Sequence, residues 1–219
     1  MAMKLPSTVL TKLVSSYNHL WKPPPKKPPY NHICRIGDPV LRYEAKAIDV
    51  EKIKSEEIQK VISKMKKVMR NHKAVGLAAP QIGCSLRVIT MEFSPESLEM
   101  FPPSIVLSRE YQAFPLQVFV NPVMRVVEKH KVTFPEACEC IKGYSALVPR
   151  YYEVKITGYN EKAEEVEWQV KGWPARIIQH ELDHINGKLY TDIMVSQSFQ
   201  YDFWYQEHLQ KWFNIFIRK

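Results

Sequence analysis

The segment His180-Glu181-Leu182-Asp183-His184 carries the side chains whose chemistry is easiest to specify. Two histidines four residues apart lie on one face of a helix, so both imidazoles can bind a single metal ion. Glu181 is turned about 100° around the helix axis from His180. Its carboxylate can therefore lie beside the ion without binding it. The spacing predicts a helical metal site with a general base next to it.

A catalytic site of this kind needs a third protein ligand and one open position. A third histidine at the downstream spacing H-E-x-x-H-x-x-G-x-x-H is missing, because Lys188 and Leu189 follow Gly187 directly. The other histidines lie in no supporting motif. A thiolate can serve instead, and the residues alone leave four candidates: Cys34, Cys84, Cys138 and Cys140.

Three segments together resemble the three motifs of the peptide deformylase family. The first is Gly76-Leu77-Ala78-Ala79-Pro80-Gln81, the second Glu136-Ala137-Cys138-Glu139-Cys140, and the third Gln179-His180-Glu181-Leu182-Asp183-His184. They occur in the family's order, and the resemblance covers residues 33–195. Together with the N-terminal composition given below, the chain resembles the mitochondrial, animal-type branch of this family.

The resemblance implies a hydrolase that removes the formyl group from the N-terminal formylmethionine of newly made mitochondrial proteins. It implies that Cys138, His180 and His184 bind one divalent metal ion, with water in the fourth position. Glu181 would take a proton from this water and return it to the leaving amine. A mixed nitrogen and sulfur shell suits Fe²⁺ or Zn²⁺, and Co²⁺ or Ni²⁺ can substitute.

The resemblance also assigns two oxyanion donors, the side-chain amide of Gln81 and the backbone N–H of Glu139. It pairs Glu136 with an arginine, for which Arg150 is the matching position. The methionine side chain needs an apolar pocket, expected between the first motif and the metal-binding helix. The candidates for its lining are Val75, Gly76, Leu77 and Ile177.

Four positions depart from the pattern of bacterial members, where Gly, Gly, Leu and Ser usually stand. They are Ala74, Ala137, Glu139 and Cys140. The Cβ of Ala137 costs up to about 1 kcal/mol if the backbone there needs a positive φ. These departures leave open a catalytically weak relative that serves as a metal-binding or ribosome-associated protein. A metalloprotease built on the same helix motif is the other alternative.

The charge of the chain is concentrated at its start. The net charge is +8 over 219 residues, but residues 1–37 hold six Lys or Arg and no Asp or Glu. The remainder is nearly neutral, which argues against a surface for direct DNA binding. No run of about 20 apolar residues predicts a transmembrane segment.

The acid-free start predicts a mitochondrial or plastid transit peptide, and the resemblance implies that the destination is the mitochondrial matrix. Leu5, Val9, Leu13 and Tyr17 recur at helical spacing among lysines and hydroxyl residues, as in a transit peptide, and a proline-rich stretch follows. A disordered basic tail is the alternative. We therefore divide the chain into a transit peptide and linker (1–32), a catalytic domain (33–195) and an aromatic C-terminal extension (196–219).

The pattern of apolar residues predicts an α+β fold, with antiparallel strands packed around a central helix that carries the metal motif, plus a C-terminal aromatic helix. Helices are expected at 51–70, 174–186 and 197–217. Strands are expected at 86–92, 116–127, 130–134, 147–158 and 165–170, and the proline-rich segment 94–115 is expected to be irregular. The expected partners are N-formylmethionyl peptides, with ribosome association and a homodimer left open.

Overall fold

The computed structural model describes residues 27–209. The helical pattern predicted near the N-terminus lies outside these residues, as does the end of the aromatic extension. The predicted division into three regions therefore stays a prediction. No helix in the described part of the chain is long and apolar enough to cross a bilayer.

One antiparallel sheet organises the molecule. Its strands follow the order β1-β2-β3-β4-β5, and the short β6 pairs with the first residues of β4. The bounds are Gly76–Ala78 (β1), Val88–Phe93 (β2), Phe114–Ala137 (β3), Tyr144–Tyr159 (β4), Glu165–Lys171 (β5) and Gln200–Tyr201 (β6). The long β3–β4 pair is the centre of this sheet.

Four helices lie within the described residues before the C-terminal extension. They are Glu56–Asn71 (α1), Pro95–Glu99 (α2), Pro103–Arg109 (α3) and Trp173–Ile185 (α4). Helix α1 begins later than predicted because Ser55 caps it, its hydroxyl accepting a hydrogen bond from the Ile58 N–H. Helix α4 begins with Trp173 and Pro174, a position at which proline is well tolerated.

The two long helices bury their apolar faces in two clusters. The stripe of α1 packs with Leu77, Ile82 and Val88, while the apolar face of α4 packs with other residues of the strands, such as Phe119 and Ile156. Helix α4 is thus enclosed by the sheet, and ten of its thirteen residues are buried. The predicted α+β fold with a central metal-motif helix is confirmed.

Three local predictions differ from the structure. The strands expected at 116–127 and 130–134 form one strand, β3, because register shifts against β4 near Val126 and Glu128 absorb the polar interruption. Segment 94–115 contains α2 and α3 instead of being irregular, since Ser94 caps α2 and prolines occupy the first turns of both helices. Segment 197–217 begins with a short 3₁₀ turn and β6, and only residues 204–209 of its described part are helical.

Candidate active site

The side chains of Cys138, His180 and His184 converge at one point. Cys138 directly follows β3, and the histidines lie one turn apart on α4. One ligand atom from each residue lies within 4.8 Å of the others, and Cys138 Sγ is 3.3 Å from His184 Nε2. One thiol and two imidazoles at this separation fit a single transition-metal ion with a further position open. Cys34, Cys84 and Cys140 do not join this group within residues 27–209.

The surroundings favour the protonation state that a metal needs at His184 but not at Cys138. Burial lowers the pKa of His184, which keeps the imidazole in the neutral form that binds metals. The hydrogen bond with Cys140, together with burial, raises the pKa of Cys138. The thiolate therefore depends on the positive charge of a bound cation.

Glu181 is a buried carboxylate next to the histidines. Only 3% of its surface is exposed, and burial raises its pKa to about 7. Its Oε2 has no hydrogen-bond partner in the described structure. Its Oε1 faces Gly76 so closely that a Cβ there would lie 2.4 Å away. A carboxyl group with a pKa near neutrality is suited to taking up and releasing a proton.

Gln81 presents its amide nitrogen to the sulfur atoms of the site. Its Oε1 accepts a hydrogen bond of 2.7 Å from the Ala78 N–H, which fixes the orientation of the amide. Its Nε2 then donates towards Cys140 Sγ at 3.5 Å and Cys138 Sγ at 3.8 Å. The structure thus places a fixed donor beside the predicted metal position.

Glu139 begins a 3₁₀ turn that Cys138 caps. Cys138 Sγ accepts a hydrogen bond from the Cys140 N–H at 3.4 Å, and the Glu139 carbonyl accepts one from Arg35 Nη1 at 2.7 Å. The Glu139 side chain lies at the lip of the cleft, 30% exposed and 3.9 Å from His72 Nδ1. The hydrogen bond at the Cys140 N–H and the one at the Glu139 carbonyl therefore fix the backbone around residue 139.

A buried ion network supports one of the histidines. Arg150 makes hydrogen bonds of 3.1 and 2.8 Å to Glu136 Oε2 and one of 2.5 Å to Asp183. Glu136 Oε2 in turn lies 3.6 Å from His180 Nδ1. Burial would raise the pKa of Glu136, but the nearby His180 ring and the charge and hydrogen bonds of Arg150 outweigh it and hold the pKa at about 2. A charged Glu136 fixes the orientation of the His180 ring.

The site opens into a cleft of about 460 Å³. All four residues expected at the methionine pocket, Val75, Gly76, Leu77 and Ile177, line it. The aromatic part of this lining was not predicted from the sequence and comes from distant elements: Phe93, Phe101, Tyr111 and Trp173. Three of them flank or belong to the segment predicted to be irregular, so no periodicity pointed to them. The result is an apolar compartment beside the metal-ligand candidates.

Two of the departures from the family pattern, Ala137 and Cys140, have well-defined surroundings in the structure. Ala137 is the last residue of β3 and does not have a positive φ, so its Cβ causes none of the strain considered above. Cys140, the position at which the bacterial pattern has a serine, is 1% exposed, and its thiol accepts a hydrogen bond from Gln81.

The fold and the site together define a class of protein. An antiparallel sheet wrapped around a helix that supplies two histidines, with a thiol from the adjacent strand end and a buried carboxylate alongside, is the arrangement of a mononuclear metal hydrolase. The family model described as polypeptide deformylase matches residues 30–200. The chain belongs to the peptide deformylase family and is a hydrolase that removes N-formyl groups.

Comparison with known proteins agrees on the family. The human mitochondrial peptide deformylase is 42% identical over 180 residues, which are 82% of this chain and 74% of the relative. The chloroplastic and mitochondrial peptide deformylase 1A of Arabidopsis thaliana is 45% identical over 175 residues, 80% of this chain and 65% of the relative. The predicted mitochondrial location is confirmed by these relatives.

Solved structures show the same fold. A class I type b peptide deformylase from Acinetobacter baumannii, crystallised with Met-Ala-Ser, superposes with a TM-score of 0.66 at 27% identity over 74% of this chain and 96% of that one. A plant peptide deformylase superposes with a TM-score of 0.64 at 29% identity, covering 81% and 86% of the two chains.

Proposed function

We propose that this chain deformylates the N-terminal formylmethionine of mitochondrial proteins with one divalent metal ion held by Cys138, His180 and His184. The observation that carries the proposal is the convergence of these three ligand atoms within 4.8 Å beside the buried carboxylate of Glu181. When bound, the metal supplies a lowered pKa for water and polarisation of the formyl carbonyl.

The residues around that position transfer the proton, stabilise the oxyanion and bind the methionine side chain. Glu181 takes the proton of the attacking water and delivers it to the amine nitrogen as the C–N bond breaks, which releases formate and the free N-terminus. The donor of Gln81 and the backbone N–H of Glu139 hold the oxygen on which negative charge develops. The methionine side chain occupies the compartment lined by Val75, Gly76 and Ile177, which excludes water from the reacting group.

The test is formate release from formyl-Met-Ala-Ser by protein purified without oxygen. We expect turnover that depends on one equivalent of metal, and loss of both metal and turnover after chelation. Formate release that persists in metal-free protein would contradict the proposal. Cleavage of internal peptide bonds instead of formyl removal would favour the metalloprotease alternative, and metal binding without turnover would favour the weak relative.

The identity of the metal is a further part of the proposal. Two imidazoles and one thiolate suit Fe²⁺ or Zn²⁺, and a ferrous site with a thiolate ligand is prone to oxidation in air. Elemental analysis of anaerobic and aerobic preparations distinguishes the two metals, because only an iron enzyme should lose activity in air.

Association with ribosomes and a homodimer stay predictions. The exposed aromatic side chains of the C-terminal extension, Phe199, Phe203, Trp204 and Tyr205, are the surface on which either would depend. Co-sedimentation with mitochondrial ribosomes and light scattering of the purified protein measure them separately.

A further inference from the structure

The C-terminal extension runs along the start of β4. Residues 200–201 form β6 and pair with Ser145 and Tyr144. Hydrogen bonds of 2.8 Å continue this pairing on both sides, from the Val195 N–H to the Leu147 carbonyl and from the Asp202 N–H to the Gly143 carbonyl. The Ser145 hydroxyl also donates to the Asp202 carboxylate. The extension is thus a fixed part of the folded chain up to residue 202.

The pairing brings the extension close to the metal-ligand candidates. Ser145 lies opposite Ala137 in the β3–β4 register, so the start of β4 separates the extension from the strand end that leads to Cys138. Asp202 and Phe203 line the same cleft as Cys138 and His180. The sequence predicted an aromatic helix here, and nothing in the spacing of its residues indicated the cleft.

A glycine allows the close approach of the aromatic side chains. Gly143 has a φ of +87°, and a Cβ there would lie 3.2 Å from the Tyr201 ring and 3.8 Å from the Phe203 ring. The rings of Tyr201 and Phe203 contact each other edge to face with centroids 5.7 Å apart. Phe203 is therefore supported on one side and remains 47% exposed.

The geometry of the substrate determines what meets this exposed ring. The formyl group must reach the metal position and the methionine side chain the apolar compartment, so the following residues leave along the wall of the cleft. An extended peptide advances about 3.3 Å per residue, with side chains on alternate faces. Within two residues, one side chain therefore faces the wall that continues from Cys138 through Gly143 to Phe203.

We propose that Phe203 is a specificity-determining residue, which contacts an apolar side chain at the second or third position of the formylated peptide. This inference rests on the proposed function. It adds an apolar contact from the C-terminal extension to the cleft, so peptides with a large apolar residue at one of these positions should be turned over more efficiently than peptides with small or polar residues.

The test compares kcat/KM for formyl-Met-Ala-Ser, formyl-Met-Leu-Ser and formyl-Met-Ala-Leu. In the unmodified protein we expect one leucine peptide to be preferred by about three- to ten-fold, the effect of removing part of a leucine side chain from water. Phe203→Ala should abolish most of this preference, because kcat/KM for the preferred leucine peptide falls towards that for formyl-Met-Ala-Ser. Phe203→Leu should retain the preference because it keeps an apolar contact.

Tyr205→Ala is the matched control. Tyr205 is 57% exposed on the same segment but does not line the cleft, so its truncation should leave the preference intact. Equal ratios in the unmodified protein and Phe203→Ala, or an equal loss on all three peptides, would overturn the inference. A lack of turnover of every formyl peptide by the unmodified protein would instead contradict the proposed function on which it rests.

Discussion

The carboxylate of Glu181 is buried, and burial raises its pKa. One of its two oxygens has no hydrogen-bond partner in the described structure. Such a group is costly to keep charged in an apolar interior. The cost is explained if the carboxylate exchanges a proton with the substrate rather than stabilising the fold.

Glu181→Gln should retain metal and lose turnover by at least about 100-fold, because the amide cannot accept the water proton. Metal content and formate release are measured on the same preparation. Glu57→Gln, on the exposed side of α1, is the control and should behave as the unmodified protein. A Glu181→Gln protein with full metal and near-normal turnover would disprove the role as base.

Cys138→Ala should lose most of the bound metal, whereas Cys140→Ala should keep it. Both thiols are buried and both contact Gln81, so they form a matched pair that differs in distance to the histidines. Only Cys138 joins His180 and His184 in the cluster of ligand atoms. Metal analysis decides the matter, and an empty site in Cys140→Ala with a full one in Cys138→Ala would reverse the assignment.

Gly76→Ala should reduce turnover by at least about ten-fold while metal remains bound. The added methyl group would need the space now held by Glu181 Oε1, at 2.4 Å, so the carboxylate must move. Ala74→Gly, two residues earlier on the same wall of the cleft, is the control and should change turnover little. Normal kcat/KM in Gly76→Ala would show that Glu181 tolerates displacement.

At the scale of elements, Arg150 connects three of them. It lies in β4, binds Glu136 in β3 and binds Asp183 in α4. Its side chain is 4% exposed, so the three charges depend on one another for compensation. The network connects α4 to β3 and β4 and therefore helps to position the metal-ligand candidates on α4.

Arg150→Lys should lower the free energy of unfolding by about 2–4 kcal/mol, because an ammonium group cannot reproduce the forked hydrogen bonds to two carboxylates. Denaturant titration measures the change. Arg125→Lys, an exposed position in β3, should shift it by less than about 0.5 kcal/mol. Equal stability of the two variants would mean that Arg150 contributes no more than a surface charge.

The helices and strands also differ in how well the sequence alone predicts them. Helices α1 and α4 were predictable because each has a periodic apolar stripe, and Pro174 marks the start of α4. The cap at Ser55, which sets the start of α1, was missed. The joining of the two predicted strands into β3 was not predictable, since only the pairing with β4 defines that strand. The same holds for β6, where aromatic residues with a helical pattern are extended because they pair with β4.

The site likewise has a part that the sequence predicted and a part that it did not. Its chemistry-bearing residues lie in three short motifs. Spacing alone indicated His180, Glu181 and His184, whereas Cys138 and Gln81 followed only from the resemblance to the family. The aromatic lining of the cleft and the contribution of Phe203 come from residues far apart in the chain, brought together by the sheet. The signal that sequence offered was Ser94 followed by Pro95, which marks the start of α2 within a segment predicted to be irregular.

At the scale of the whole molecule, the nearly neutral body contrasts with the basic start, most of which precedes the described residues. If residues 1–32 direct import, a fluorescent protein fused behind them should enter mitochondria, and Lys4→Glu with Lys12→Glu should reduce that import several-fold, because import sequences are poor in acids. Microscopy and fractionation measure the result. A fusion that stays in the cytosol would favour the basic-tail alternative.

The pairing of the C-terminal extension with β4 has a consequence for the behaviour of the protein in concentrated solution. Strand β5 pairs with β4 from Glu153 to Tyr159, and the extension occupies the same edge around residues 143–147. Without the extension, the backbone N–H and carbonyl groups of that stretch would form an open strand edge, to which a strand of another molecule could add. The segment that completes the cleft therefore also blocks intermolecular strand pairing, and a peptide or mutation that displaces it should promote aggregation as well as alter substrate preference.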